Sequence, residues 1–219
     1  MSNRYVDSYI ESVLNNNASL VHDIKKLVNG MCVYRNYTVN DLNSKDISGI
    51  RKEIYKYLDY LDTKNAHLYT AKMTMNKWQS LAQRYASTMV QGDNFNINEA
   101  GRNNGGSKHS ADSKCIKLLE FQAEYQDACD RYMQCLAEKN RNTAWLRRIF
   151  ETVIPDEQIN YKLTLVALYC DDYSSSDICK VLRGGSVRTV HDYKYEGVGT
   201  IAKAVKRVLV TMLLENDNS

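Results

Sequence analysis

Residues 174–194 read SSSDICKVLRGGSVRTVHDYK and contain two helix starts separated by a glycine turn. Ser174 and Asp177 have the S-x-x-D spacing of a capping box placed directly before Ile178. The spacing predicts a short helix from Ser175 to about Leu182, with Ile178, Val181 and Leu182 turned inward. Arg183-Gly184-Gly185 makes a turn, because glycine enters positive φ without steric cost. Ser186 is a suitable N-cap for a further helix through Val187, Val190 and Tyr193. Upstream, Ile154-Pro155-Asp156-Glu157 opens another helix, since proline is favoured in a first turn and acids complement the helix dipole. Ile159, Leu163, Val166 and Ala167 give that helix an apolar face, and Asp171-Asp172-Tyr173 ends it. Helix, capped short helix, glycine turn, Ser-capped third helix is the order of a helix-turn-helix.

That order carries a chemical expectation. The short helix braces the third, whose first residues must enter a major groove. Lys180, Arg183, Ser186, Val187, Arg188, Thr189, His191, Asp192 and Lys194 are therefore the candidate DNA-binding residues, while Val190 and Tyr193 face the core. Arginine takes guanine bidentately, and Ser, Thr or His reach base edges or phosphates. The charge distribution points the same way. Residues 178–207 hold seven basic groups and two acids, a net +5, whereas residues 154–177 hold one base and five acids, a net −4. Arg147 and Arg148, just upstream, suit a DNA backbone or a solvated helix end equally.

On these residues a resemblance becomes specific. Residues 154–204 resemble region 4 of sigma-70-type factors, which reads promoter −35 elements. Ile154-Pro155-Asp156-Glu157 is similar to that family's opening Leu-Pro-Asp-Glu. Tyr173-Ser174, Asp177-Ile178 and Leu182 are similar to its Leu-Ser, Glu-Ile and Leu, and Ser186 to Val190 resembles its Ser-Glu-Arg-Thr-Val. The upstream arrangement resembles phage and prophage late-gene activators of the ArpU/RinA type, which place a helical hairpin before such a domain. The departures are a turn one residue longer, Asp192 where a base is common, and Gly197 and Gly199, expected to loosen the second half of the helix.

Outward from this domain, the chain reads as helix almost throughout. Its 219 residues include one proline and ten glycines, with no glycine between Gly49 and Gly92 or between Gly106 and Gly184. The first of those gaps carries a heptad-like stripe over residues 46–90: Ile47, Ile50, Ile54, Tyr57 or Leu58, Leu61, Leu68, Met75, Trp78, Tyr85 and Met89, interrupted at Asn65 and Lys72. A break near Asp62 to Asn65 is as compatible with it as a continuous helix. The second gap carries Leu118, Gln122, Tyr125, Cys129, Tyr132, Leu136, Thr143, Leu146 and Phe150. Residues 91–112, rich in Asn, Gly and Ser, join the two as a flexible loop. Two amphipathic helices so joined cover each other as an antiparallel, coiled-coil-like hairpin over residues 46–150, or pack on a shared core without that geometry. Residues 1–45 add short helices of open role: one stops at Asn15-Asn16-Asn17, one ends at Asn29-Gly30, and Thr38 with Asp41 starts a third. A helix end and tail follow residue 207. The fold class is all-α.

Composition excludes several classes. The longest apolar runs are far short of a membrane span, and no secretion signal opens the chain, so a cytoplasmic, nucleoid-associated protein of a bacterial host is expected. Six cysteines and four histidines show no zinc spacing, so no metal and no cofactor is expected. No phosphate-binding glycine loop or hydrolase motif appears, so the chain is not read as an enzyme. The expected function is sequence-specific transcriptional regulation through double-stranded DNA, as a phage late-gene activator or sigma-like factor. RNA polymerase or a second copy would occupy the hairpin. The alternatives are a DNA-packaging recognition subunit of the small-terminase kind, and a helical adaptor that binds protein only.

Overall fold

The computed structural model describes residues 3–31, 47–92, 111–182 and 185–217, together with Thr38 and Leu42. The described residues form seven α-helices and one 3-10 turn, with no strand among them. In chain order these are α1 (Asn3–Asn16), α2 (Ala18–Gly30), α3 (Ile47–Gly92), α4 (Ala111–Val153), the 3-10 turn Asp156–Gln158, α5 (Ile159–Tyr169), α6 (Ser175–Val181) and α7 (Val187–Asp217). Residues 93–110 of the expected loop, Asp41 of the expected Thr38 cap, and Arg183-Gly184 of the turn lie outside the described residues. The chain divides into two compact units: residues 1–63 with 140–219, and residues 64–139.

Unit 1 is built around α7. Thirty-one residues at 1.5 Å each give a helix of about 45 Å. Its middle carries a wide apolar face, and Val198, Ile201, Ala202, Ala204, Val205 and Leu209 are all fully buried. A helix buried on that many sides needs several partners, and α1, α2, α5 and α6 all pack on it. The N-terminal helices are thus part of this core. Val6 and Ile10 of α1 and Leu20, Ile24 and Leu27 of α2 share one apolar cluster with Ile54 and Leu58 of α3 and Ile149 and Phe150 of α4. Asn17 sets the α1–α2 corner by accepting from Leu20 N–H at 3.0 Å, an N-cap that starts α2 one residue after α1 stops.

Unit 2 is a two-helix hairpin. Lys64 pairs with Glu138 at 2.7 Å, and Phe121 sits between Trp78 (6.1 Å) and Tyr85 (5.4 Å), so numbers rise on one helix as they fall on the other. On α3 the half-buried positions include Leu68, Ala71, Met75, Trp78, Ala82 and Tyr85, alternating steps of three and four, with Leu81 and Ala86 flanking them; Asn65 joins this seam and does not break it. On α4 they are Leu118, Phe121, Tyr125, Tyr132 and Cys135, with Ala128 buried. That is coiled-coil spacing. Its phase on α4 differs from the expected one: Phe121, Ala128 and Cys135 hold the seam, Gln122 is exposed, and Cys129 and Leu136 flank it. From Leu118 the steps 3-4-3-4 and 4-3-4-3 are equally regular, and the aromatic contacts of Phe121 select the first. The helix α3 is continuous through residues 62–65.

Candidate nucleic-acid interface

The local chemistry at the turn follows the sequence closely. Ser174 caps α6, its Oγ accepting from Asp177 N–H at 3.2 Å and donating to the Asp177 carboxylate at 2.6 Å. Lys180 then reaches Asp177 at 2.8 Å, and that hydrogen bond, with the Ser174 hydroxyl, holds the Asp177 carboxyl below the ordinary carboxylate range. Leu182 ends α6, and its carbonyl accepts from Gly185 N–H at 2.7 Å. Ser186 starts α7 by a reciprocal cap. Thr189 N–H donates to Ser186 Oγ at 3.2 Å, while Ser186 N–H donates to Thr189 Oγ1 at 3.3 Å. Both hydroxyls therefore complete the helix start.

Beyond the cap, Arg188, His191, Asp192 and Tyr195 follow at i, i+3, i+4 and i+7, which is one helix face, and all four are exposed. Val187 adds a half-exposed apolar side chain beside them. Val181, expected inward, is 75% exposed at the end of α6, because a helix of seven residues needs only Ile178 to hold it down. Of the nine candidate residues, Val187, Arg188, His191 and Asp192 gather at the start of α7, with Lys180 exposed on α6. Ser186 and Thr189 serve the cap, and Arg183 lies outside the described residues. Sequence reading missed Tyr195 and Val181; the i+7 step from Arg188 was the available signal for Tyr195.

Lys194 is directed elsewhere. Its Nζ lies 5.1 Å from the ring centroids of both Tyr55 and Tyr169, so it packs on α3 and α5. The reason is periodicity: residue 194 lies one turn after the buried Val190 and one turn before the buried Val198, on the core side of the helix. Burial pushes the Tyr55 phenol up to about 12, so this ring stays neutral. On the same side Tyr193 meets Tyr161 of α5, with centroids 5.5 Å apart.

Other cations counted toward the basic stretch are also engaged within unit 1. Lys203 pairs with Asp7 at 3.0 Å and Arg207 with Glu11 at 3.1 Å, both acids lying on α1. Arg147 pairs with Asp171 and Glu151. Arg148 donates to both oxygens of Asp23, at 2.7 and 3.1 Å. Asp23 is 1% exposed. Burial alone would raise its pKa, but the hydrogen bonds and charge of Arg148, with Lys26 behind them, hold the carboxyl below its ordinary value. Arg147 and Arg148 are thus intramolecular partners. Among the described residues, Arg188 and Lys206 make no ion pair.

The glycines expected to loosen α7 have a different role. The helix runs unbroken through Gly197 and Gly199, and both are buried. A Cβ on Gly197 would stand 2.9 Å from Leu165 Cδ1 and 3.2 Å from Tyr161 Cβ, so α5 crosses there at close range. A Cβ on Gly199 would stand 2.3 Å from an Arg51 terminal nitrogen.

Among the described residues no helix is long and apolar enough to cross a membrane. Nor do three or more His, Cys, Asp or Glu side chains among them gather to hold a metal ion. No protein-family model matches the chain, and neither a curated protein nor a solved structure matches it.

Proposed function

We propose that the protein is a sequence-specific DNA-binding transcriptional regulator, of the phage late-gene activator or sigma-like kind, that lays the first turns of α7 in a major groove. The observation that carries the reading is the exposed face of Arg188, His191, Asp192 and Tyr195 on a helix that is Ser-capped, braced by the short α6, and anchored in a core at its other end. A recognition helix needs that combination: base-reaching side chains at its N-terminal end and a rigid mount behind them. Arg188 suits a guanine edge, and Asp192 suits a cytosine amino group, which an acid can accept from where it would repel phosphate. Tyr195 on this face and Lys180 on α6 would serve as phosphate contacts. Recruitment is the mechanism: α7 holds a promoter-proximal site while the hairpin meets RNA polymerase or a second copy.

The test is selection of bound duplexes from a random library, followed by salt titration on the winning site. With Lys180, Arg183 and Arg188 as the cations near the turn, the slope of log K against log salt should be about −2 to −3 per protomer, at roughly −0.9 per neutralised phosphate. Arg188→Ala combined with His191→Ala should relax the selected sequence or abolish the shift. A chain that binds no duplex at about 50 mM salt, where non-specific binding is strong, is a protein-binding adaptor instead.

A further inference from the structure

The two halves of α7 are held by different means. From Val198 to Leu209 the helix is buried among apolar side chains and tied by directed ion pairs to α1. The exposed half is held by the buried Val190, by Tyr193 against Tyr161 of α5, and by two cation–aromatic contacts that tie it to α3. Arg51 of α3 places its guanidinium carbon 3.8 Å from the ring centroid of Tyr195. It lies in the notch left by Gly199, one turn further along, where any Cβ would collide with it. In return, Lys194 of α7 lies over Tyr55, one turn from Arg51 on α3, and over Tyr169 at the end of α5. Each helix thus offers a cation to the other's aromatic ring. Such contacts depend weakly on direction. Two buried polar atoms at the same junction, Arg51 Nε and Tyr169 hydroxyl, have no hydrogen-bond partner among the described residues.

We propose that Arg51 and Lys194 are positioning residues, a reciprocal cation–aromatic latch that seats the recognition end of α7 on α3 and α5 independently of the buried end. Neither residue reads DNA. The latch sets the angle at which Arg188, His191 and Asp192 are presented, and this last step rests on the DNA-binding reading above.

Hydrogen exchange on the full chain tests it, with Arg51→Met, Lys194→Met, Gly199→Ala and Arg51→Lys against the wild type. The two Met variants are decisive, because each removes one cation and keeps an apolar side chain in its place; Gly199→Ala keeps the guanidinium and crowds it while putting a better helix former inside the helix. Amides 189–196 should exchange about three- to fivefold faster in the Met variants, the size expected for losing one partly exposed cation–aromatic contact, while in Gly199→Ala the gain in helix propensity offsets much of that change. Amides 201–209 should stay within about twofold of wild type, since the core and ion pairs holding them are untouched. Arg51→Lys should recover most of the protection. Unchanged exchange over 189–196 in the Met variants, or acceleration spread equally into 201–209, overturns the latch. If Arg51→Met does not fold, Lys194→Met decides alone. On a site selected with wild-type protein, Arg51→Met should weaken binding about three- to fivefold with an unaltered salt slope. A slope smaller by about one would make Arg51 a phosphate contact and overturn the proposal. A wild-type chain that binds no DNA removes the functional reading, while the exchange result still decides the latch.

Discussion

Gly197→Ala sets two terms of known size against each other at the place where α5 crosses α7. Alanine is the better residue in a helix interior by about 1 kcal/mol. Against that, its methyl would stand 2.9 Å from Leu165 Cδ1, 3.2 Å from Tyr161 Cβ and 3.4 Å from Leu165 Cγ, where carbon atoms prefer about 3.5–4.0 Å. Leu165 is fully buried, so its methyl has little free space to enter, and Tyr161 Cβ is fixed to the α5 backbone. The helices must part by several tenths of an ångström, and overpacking of this kind costs about 1–3 kcal/mol. The balance is a net loss of about 1 kcal/mol, or roughly 3 °C in melting temperature for a unit of this size. Gly197→Val adds two more carbons at the same point and should lose about 3 kcal/mol. Trp145 is buried in unit 1 and Trp78 lies in unit 2. Fluorescence-monitored urea unfolding in a Trp78→Phe background therefore reports unit 1 alone. A Gly197→Ala protein more stable than its parent would refute the close crossing, and with it the account of why α7 carries glycine inside a helix.

Two further outcomes follow from the same reasoning. Because the Asp23 carboxyl is held below its ordinary 3.8, its stabilising contribution is full above that value and disappears as pH falls through the lower folded one. The loss of stability caused by Arg148→Ala should therefore be largest near neutrality and shrink below about pH 4; a difference constant from about pH 7 to pH 3 would mean that the pair contributes nothing specific. In the hairpin, Phe121→Ala should cost about 2 kcal/mol for a half-buried ring with two aromatic neighbours. Gln122→Ala should stay within about 0.5 kcal/mol. Thermal unfolding followed at Trp78 compares them, and an equal or reversed effect would place Gln122 in the seam.

Much of this architecture was legible because its causes are local. Ser174 and Ser186 start helices through bonds to Asp177 and Thr189, three residues away, and a three-residue rule finds them. Asn17 and the ends of α1 and α2 are of the same kind. What sequence reading missed depends on partners far along the chain. Lys194 looks like a groove-facing base until Tyr55 and Tyr169 arrive beside it. Arg148 looks solvated until Asp23, 125 residues earlier, meets it. Gly197 and Gly199 look like weak points in a helix because a single sequence does not show what approaches them. The α4 register failed for a subtler reason: two heptad phases fit the apolar residues equally, and only the ring contacts of Phe121 separate them.

The pairing of charges also changes what a DNA interface at the start of α7 would have to achieve. A net +5 over residues 178–207 suggests a strongly cationic surface. In the folded unit, Lys180, Lys203 and Arg207 each face an acid, and Lys194 faces two rings. Lys206 makes no ion pair among the described residues but sits beside Lys203 and Arg207 in a cleft lined by α1, α2 and α7, away from the first turn. At the start of α7, Arg188 is the cation without an ion pair among the described residues. With about two or three phosphate contacts, a single copy would gain little from counterion release, where strong binders use about six to ten. On the DNA-binding reading, useful affinity then has to come from linkage: a second recognition helix, or a polymerase held at the same promoter, raises avidity by about 10²–10⁴ without any new base contact. A regulator built this way discriminates through a few base contacts and depends on its partner for strength. Its occupancy of a lone half-site should accordingly be poor, and occupancy of paired sites, or of one site beside bound polymerase, should rise steeply with concentration.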